Sequence, residues 1–368
     1  MAYGNVCRKE LIISMRRHIL YSAILLAFLL LILPGVVQAQ SYTNNYGIWN
    51  YTTTNDTITI TEYSGPGGDV TIPDRINGLL VTSISDGFGS CGCLTGIAVP
   101  SSVTNIGYAA FPSPILTAIT VDISNSVYSS ASGVLFDKNQ TTLLIYPQGK
   151  SGSYIVPSSV TSIGDYAFYN CTNLTSVTIP NSVTNLGWQA FYHCTSMNRI
   201  SIGNSVASIQ YGAFYSCTGL TNVMIPESVS SIGDFAFNAC FSLTSMYFQG
   251  NASPYFSPEM CFGDMSTIYY LPETTGWDSL FPSYFGVPMV LWNPSIQTTN
   301  ASFGVRTNRF GFNIVGTTNI LIVVEASPDL LRASWTSLQS CTITNGSIYF
   351  SDPQWTNYPT RFYRIRSP

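Results

Sequence analysis

The sequence predicts a repeat solenoid of 23-residue coils, followed by a small all-β module at its C-terminus. Two observations predict it. Cysteines at 171, 194, 217 and 240 recur every 23 residues. The same interval is kept by Phe168, Phe191, Phe214 and Phe237, by Ile163, Leu186, Ile209 and Ile232, and by Leu174, Met197, Leu220 and Leu243. The period then stops after "LWNP" (291–294). Self-similarity at a fixed interval marks a stack of one structural unit, since a single coil cannot bury its own apolar face.

Composition sets the class. Charged residues make up 9% of the chain, against roughly 25% in an average globular protein. With 45% hydrophobic and 13% aromatic residues, the chain has enough apolar surface to fold. Ser, Thr and Asn serve as the polar filler, as in many extracellular β-rich proteins.

The first element is an export segment, residues 1–39. Arg16 and Arg17 precede an apolar run from Ile19 to Leu33, Pro34 and Gly35 break it, and "VQAQ" (37–40) offers cleavage after Ala39. The run is short for a membrane span and has the layout of a secretory signal. Met15 is an alternative start, because "MRRHIL" makes a better basic region than what precedes it. Loss of this segment takes four of 14 Lys+Arg and one of 18 Asp+Glu, leaving 10 against 17, a net of −7. Residues 41–291 hold 4 bases and 14 acids, and 292–368 hold 6 bases and 3 acids. So acidic a repeat region argues against nucleic acid, which needs clustered Lys and Arg. No transmembrane span is expected once the segment is removed.

An N-terminal β cap is expected over 40–62, then coils over 63–291. Early coils are irregular: "IPDRINGLLVTSISDGFGSCGCLTGIAVP" (72–100) carries four extra residues, and Pro100 to Pro157 contains a 34-residue insert near 122–155. Within the insert, "GVLFDKNQTTLLIYP" (133–147) reads as two strands around a polar turn. In a regular coil, "LTSVTIP" (174–180) alternates, with Val177 and Ile179 inward and Ser176 and Thr178 outward. Proline stops that strand, "SVTNLG" forms a second short one, and Gly187 allows a turn. "DYAF" and "DFAF" predict short helical turns capped by Asp165 and Asp234. After residue 291, "FGFNIVG", "ILIVVEAS", "SIYFSD" and "RFYRIRSP" read as strands of a C-terminal β module over 292–368.

The consensus "IPxSVTxIGxxAFxxCxxLTxVxIP" resembles the bacterial surface (BspA-type) branch of the leucine-rich repeats over roughly residues 63–291. The likeness extends to "YSGPGGDVTIP" (63–73) and to the irregular last coil, "MYFQGNASPYF…STIYYLPETTGW" (246–277). It implies a leucine-rich-repeat solenoid, curved, with strands on one face. It also implies exported or surface proteins used for interaction and adhesion, usually without catalysis. Gly203 in a proline slot, Ser113 in a cysteine slot, and Met197 and Met246 in Leu and Val slots depart from the consensus without breaking the core pattern. "EASPDLLRASWTSL" (325–338) with "RFYRIRSP" resembles a C-terminal tail of exported proteins of some Gram-negative bacteria.

Tests for chemistry leave little. His18 lies in the export segment, so any histidine-dependent triad must use His193. That slot is filled by Asn170, Ser216 and Ala239 in neighbouring coils, which marks it as peripheral. The cysteines come one per coil, a line where zinc needs a tetrahedron, and "CGC" (91–93) has the wrong spacing. Disulfides between adjacent coils are conceivable, at about 5 Å spacing, but cysteines in register point the same way. Packed thiols are the expectation. Asp165 and Asp234 lie three coils apart, roughly 14 Å, too far for a glycosidase pair at about 5–9.5 Å. Asp69, Asp74 and Asp86 could hold weak calcium, though a solvated end face is expected. No phosphate loop is present, since "GKS" (149–151) follows Leu144 where glycine is required.

What remains is a surface. Outward strand positions begin small, with Gly96, Ala98, Ala118 and Thr120. They then enlarge coil by coil: Ser176 and Thr178, Arg199 and Ser201, Asn222 and Met224, Ser245 and Tyr247. Arg, Met and Tyr are enriched at interfaces. These eight residues are the candidate binding site, with a protein or glycan as partner, no cofactor and no metal. The expected function is non-catalytic binding or adhesion at the cell surface, in a secreted or outer-envelope protein. A self-associating envelope component and a polysaccharide-active enzyme are the rivals.

Overall fold

The computed structural model describes residues 39–86, 93–261, 267–277, 287–318, 320–330 and 334–366. Residues 1–38, where the sequence predicts an export segment, lie outside the described residues. Among these residues, no helix is long and apolar enough to cross a membrane.

An antiparallel sheet opens the fold: Gln40–Asn44, Gly47–Thr54 and Thr57–Ser64. Its last strand pairs in parallel with Leu79–Ile84 and so hands over to the stack. Trp49 and Tyr63 are fully buried at this end, their rings 4.8 Å apart.

From there the chain winds into a solenoid whose coils bond to one another on three sides. On the first side, outward polar and inward apolar residues alternate, so the strands stack in parallel as the sequence pattern requires. Leu174–Thr178 buries Leu174 and Val177 and exposes Thr175 and Thr178. On the second side, two-residue strands run unbroken from Ser162–Ile163 through Asn185–Leu186 and Ser208–Ile209 to Ser231–Ile232. Ahead of them, the insert forms a hairpin of Val134–Asp137 and Thr142–Ile145. The Asp137 carboxylate ties its turn by accepting from the amides of Thr141 and Thr142, both at 2.7 Å.

The third side corrects an expectation. No helical turn forms at "DYAFYN" or its counterparts. Alternate amides point in different directions: Tyr166, Phe168 and Asn170 donate to the carbonyls of Trp188, Ala190 and Tyr192 in the next coil, at 2.7–2.9 Å. Ala167, Tyr169 and Cys171 donate backwards within their own coil, to Gly164, Tyr166 and Phe168. A helix sends every amide back along its own axis. Here Tyr166 and Asn170 both sit at φ 57°, in the left-handed region, which flips every second peptide pair toward the neighbour. Asp165 accordingly is not a helix cap. Its Oδ1 accepts the Trp188 amide of the next coil at 2.8 Å, and Asp234 accepts the Ser257 hydroxyl.

The core repeats with the coil. Phe168, Phe191, Phe214 and Phe237 are fully buried and stack at 4.6–5.1 Å between centroids. The repeat cysteines are buried thiols outside any disulfide, as expected. Each of the last three donates to the phenylalanine carbonyl of the coil before, Cys194 to Phe168, Cys217 to Phe191 and Cys240 to Phe214, at 3.1 Å. Ser113, in the same column, is fully buried and donates to the Leu94 carbonyl at 2.8 Å. In the irregular coil over 72–100, by contrast, Cys93 is disulfide-bonded.

After the last coil the chain builds two antiparallel sheets. One centres on Arg309–Val315, the other on Ile320–Ser327 flanked by Thr336–Ile343 and Phe362–Arg366. Their core of Phe312, Ile314, Ile322, Val324 and Phe350 also takes up Trp292 and, from the end of the solenoid, Tyr269 and Val290. The C-terminal module is thereby docked on the last coils.

Candidate binding face

The strand side of the solenoid is not one sheet. Gly152–Ile155, Leu174–Thr178 and Arg199–Ser201 form one parallel ladder. Asn222–Ile225, Ser245–Phe248, Thr267–Tyr270 and Met289–Leu291 form the next. No ladder joins Arg199–Ser201 to Asn222–Ile225, although they are consecutive coils and the two-residue strands beside them remain paired. The eight candidate residues therefore fall into two groups. Ser176 faces Arg199 and Thr178 faces Ser201 in the first ladder. Asn222 faces Ser245 and Met224 faces Tyr247 in the second.

The seam between the groups is a cleft of about 560 Å³. Arg199 and Ser201 line one wall, Asn222 and Met224 the other. Ile200 and Ile202 at its floor are 7% and 8% exposed, whereas Val223 and Ile225 are 1% exposed. The cleft is also reached by Gln249 and by Arg366 of the C-terminal module. Glu325, 4% exposed, holds that arginine: the Arg366 Nε donates to Glu325 Oε1 at 2.6 Å and the Arg364 Nε to Oε2 at 2.8 Å.

A smaller recess of about 200 Å³ adjoins the cleft and shares Met224, Gln249 and Arg366 with it. Tyr247, Tyr269 and Trp292 wall it. Tyr247 is 5% exposed, stacked on Tyr269 at 4.9 Å and edge-on to Trp292 at 6.3 Å. Burial pushes its phenol up to about 12. The outward enlargement of side chains thus ends under the protein's own C-terminal module, and Tyr247 meets that module's edge. The Trp292 indole Nε1 is buried without a hydrogen-bond partner.

Sequence reasoning missed Gln249 and Arg366. Gln249 lies just past the strand alternation, and Arg366 belongs to a region outside the period, so neither carried a signal. The other candidates are placed apart from this cleft, Asp69 at the N-terminal end of the strand side beside Gly96. His193 is exposed at φ 60°, beside Tyr192. Asp69 accepts the Thr95 hydroxyl at 2.7 Å and Asp86 the Ala109 amide at 3.2 Å. Among the described residues, no three of His, Cys, Asp and Glu converge as metal ligands. Desolvation raises the thiols of Cys171, Cys194 and Cys217, the opposite of what a nucleophile needs.

Solved structures similar to this chain are bacterial leucine-rich repeat proteins. The pneumococcal vaccine antigen PcpA is 16% identical with a TM-score of 0.47, over 69% of this chain and 99% of its own. A leucine rich cell surface protein from Faecalibacterium prausnitzii A2-165 is 18% identical with a TM-score of 0.42, over 66% and 98%. The leucine rich repeat protein of T. pallidum is 25% identical with a TM-score of 0.30, over 61% and 83%. No curated protein matches the chain. The family model for the BspA type leucine rich repeat region matches six copies, over residues 70–150 and 145–268. These spans take in the period, the insert and both strands that wall the cleft, Arg199–Ser201 and Asn222–Ile225, and the chain belongs to the BspA-type leucine-rich repeat family.

Proposed function

We propose that this chain is an exported binding protein of the cell surface, non-catalytic, which engages a protein or glycan through the strand side of its solenoid. The observation that carries the reading is the cleft between Arg199–Ser201 and Asn222–Ile225. It is a recess in the strand side, and it lies among the outward residues that enlarge along the stack. Concave sites with a few convergent polar groups are where ligands bind. Export rests on the N-terminal segment, and its test is the mass of the chain recovered outside the cytoplasm, cut after Ala39.

Binding is tested by surface plasmon resonance against immobilised extracellular-matrix preparations and purified polysaccharides. The double variant Arg199→Ala, Asn222→Ala is expected to lose at least tenfold in affinity. The double variant Trp188→Ala, Tyr211→Ala, on the turn side, is expected to keep it. Equal loss in both, or loss only in the second, would move the binding site off the strand side.

A further inference from the structure

We infer that the cleft takes an acidic glycan, with Arg199 as the group that receives the carboxylate of a uronic-acid residue. The inference rests on the proposed reading of this face as a binding face.

Charge carries the first step. Only four bases fall within residues 41–291: Arg75, Lys138, Lys150 and Arg199. Three are tied down by backbone carbonyls: Arg75 donates to Gly78 at 2.8 Å, Lys138 to Ile123 at 3.1 Å and Lys150 to Ser132 at 3.0 Å. Arg199 is exposed and has no such tie and no carboxylate partner among the described residues. It opens on a cleft that a second guanidinium also reaches, that of Arg366. Among the described residues, no Asp or Glu lines that cleft. On a repeat region with 14 acids against 4 bases, two cations converging on a lining without acids select an anion.

The remaining lining selects a sugar. Ser201, Asn222 and Gln249 offer hydroxyl and amide groups, each able to donate and accept. This suits vicinal hydroxyls, which also do both. The adjoining recess supplies an aromatic wall of Tyr247, Tyr269 and Trp292 for the face of a pyranose ring. A volume of about 560 Å³ lies within the roughly 300–1,000 Å³ range of small-ligand sites, so a short oligosaccharide fits. An acidic peptide such as polyglutamate would answer the charge but not the aromatic wall.

The experiment is calorimetry of the full chain with tetragalacturonate and a glucuronate-containing tetrasaccharide. Methyl-esterified tetragalacturonate, cellotetraose and hexaglutamate are the comparators. The uronates are expected to bind, the ester and cellotetraose at least tenfold more weakly, and the uronate affinity to fall with added salt. Arg199→Gln is expected to cost about tenfold or more, Arg199→Lys less, and Arg75→Gln nothing. Failure of both uronates to bind, binding indifferent to esterification, or tighter binding of hexaglutamate each overturns the inference. If the uronates fail while Arg199→Ala, Asn222→Ala still abolishes attachment to matrix preparations, the binding face stands and only the ligand class is wrong. If neither changes, both fall.

Discussion

The thiol of Cys194 donates to the carbonyl of Phe168, 3.1 Å away in the preceding coil. The same bond recurs at Cys217 and Cys240. Cysteine in this column is therefore both a small buried hydrophobe and an inter-coil donor. Ser113, whose hydroxyl donates to Leu94, fits the column for the second reason.

That pairing predicts an order among substitutions. Cys194→Ser keeps a donor and is expected to cost under about 1 kcal/mol, as a near-isosteric swap. Cys194→Ala loses the bond and leaves a small void, costing about 1–2 kcal/mol. Urea unfolding monitored by fluorescence gives both values. Burial raises the folded thiols of Cys171, Cys194 and Cys217 above their ordinary 9.0. Unfolded thiols then ionise first as pH rises. Stability is complete below about pH 9 and falls above it, by about 1.4 kcal/mol per pH unit for each thiol. Cys194→Ser is expected to flatten that decline.

The left-handed turn slot makes a second prediction. His193 sits at φ 60°, Ser216 at 57° and Ala239 at 58°. Asn tolerates this region better than a β-carbon without a local hydrogen bond does. His193→Asn is expected to hold or raise the melting temperature, and Ala239→Gly to raise it by a few degrees, from about 0.5–1 kcal/mol. A drop on either change would show that the side chain matters there.

These two cases mark what the sequence makes legible. Identical residues every 23 positions expose the buried column of Cys194 and Phe191 directly, because stacking forces like residues into like places. The turn was misread because Ala167 and Phe168 have the spacing of a helical turn, and the sign of φ leaves no trace in apolar periodicity. Its traces are Asn170 in the column of His193 and Gly212 in the other left-handed slot, four residues before Ser216. The seam was invisible for a related reason: Arg199–Ser201 and Asn222–Ile225 obey the same pattern whether or not their ladder closes. The cover over Tyr247 comes from Trp292 and the C-terminal module, contacts that lie outside the period.

The cover makes a third prediction. Tyr247 links the last full coils to Tyr269 and Trp292. Trp292→Ala is expected to cost about 3 kcal/mol or more and to release the C-terminal module. Limited proteolysis should then cut near residues 293–300 while the coils stay resistant. Unchanged proteolysis would mean that the module is held by other contacts.

The ion pair behind the cleft makes the last prediction. Glu325 is 4% exposed and takes Arg364 and Arg366 at 2.7 Å and 2.6 Å, with the Ser337 hydroxyl at 3.2 Å. Burial alone would raise its carboxyl, but the hydrogen bonds and charges of the two arginines outweigh it, and the group lies below its ordinary 4.5. Unfolded chains therefore take up this proton first as pH falls. The contribution is complete above about pH 4.5 and is lost as pH drops below it. Both arginines are partly solvated, so Glu325→Gln is expected to cost about 1–2 kcal/mol at pH 7, less than a fully buried pair would lose. It should also remove part of the acid sensitivity of the C-terminal module, read as its melting temperature between pH 3 and pH 7 with and without the change. Because Arg366 reaches the cleft from the same ion pair, Glu325→Gln is further expected to strengthen uronate binding, by freeing a guanidinium for the ligand carboxylate. Weaker binding would mean that Glu325 acts mainly to hold Arg366 in place.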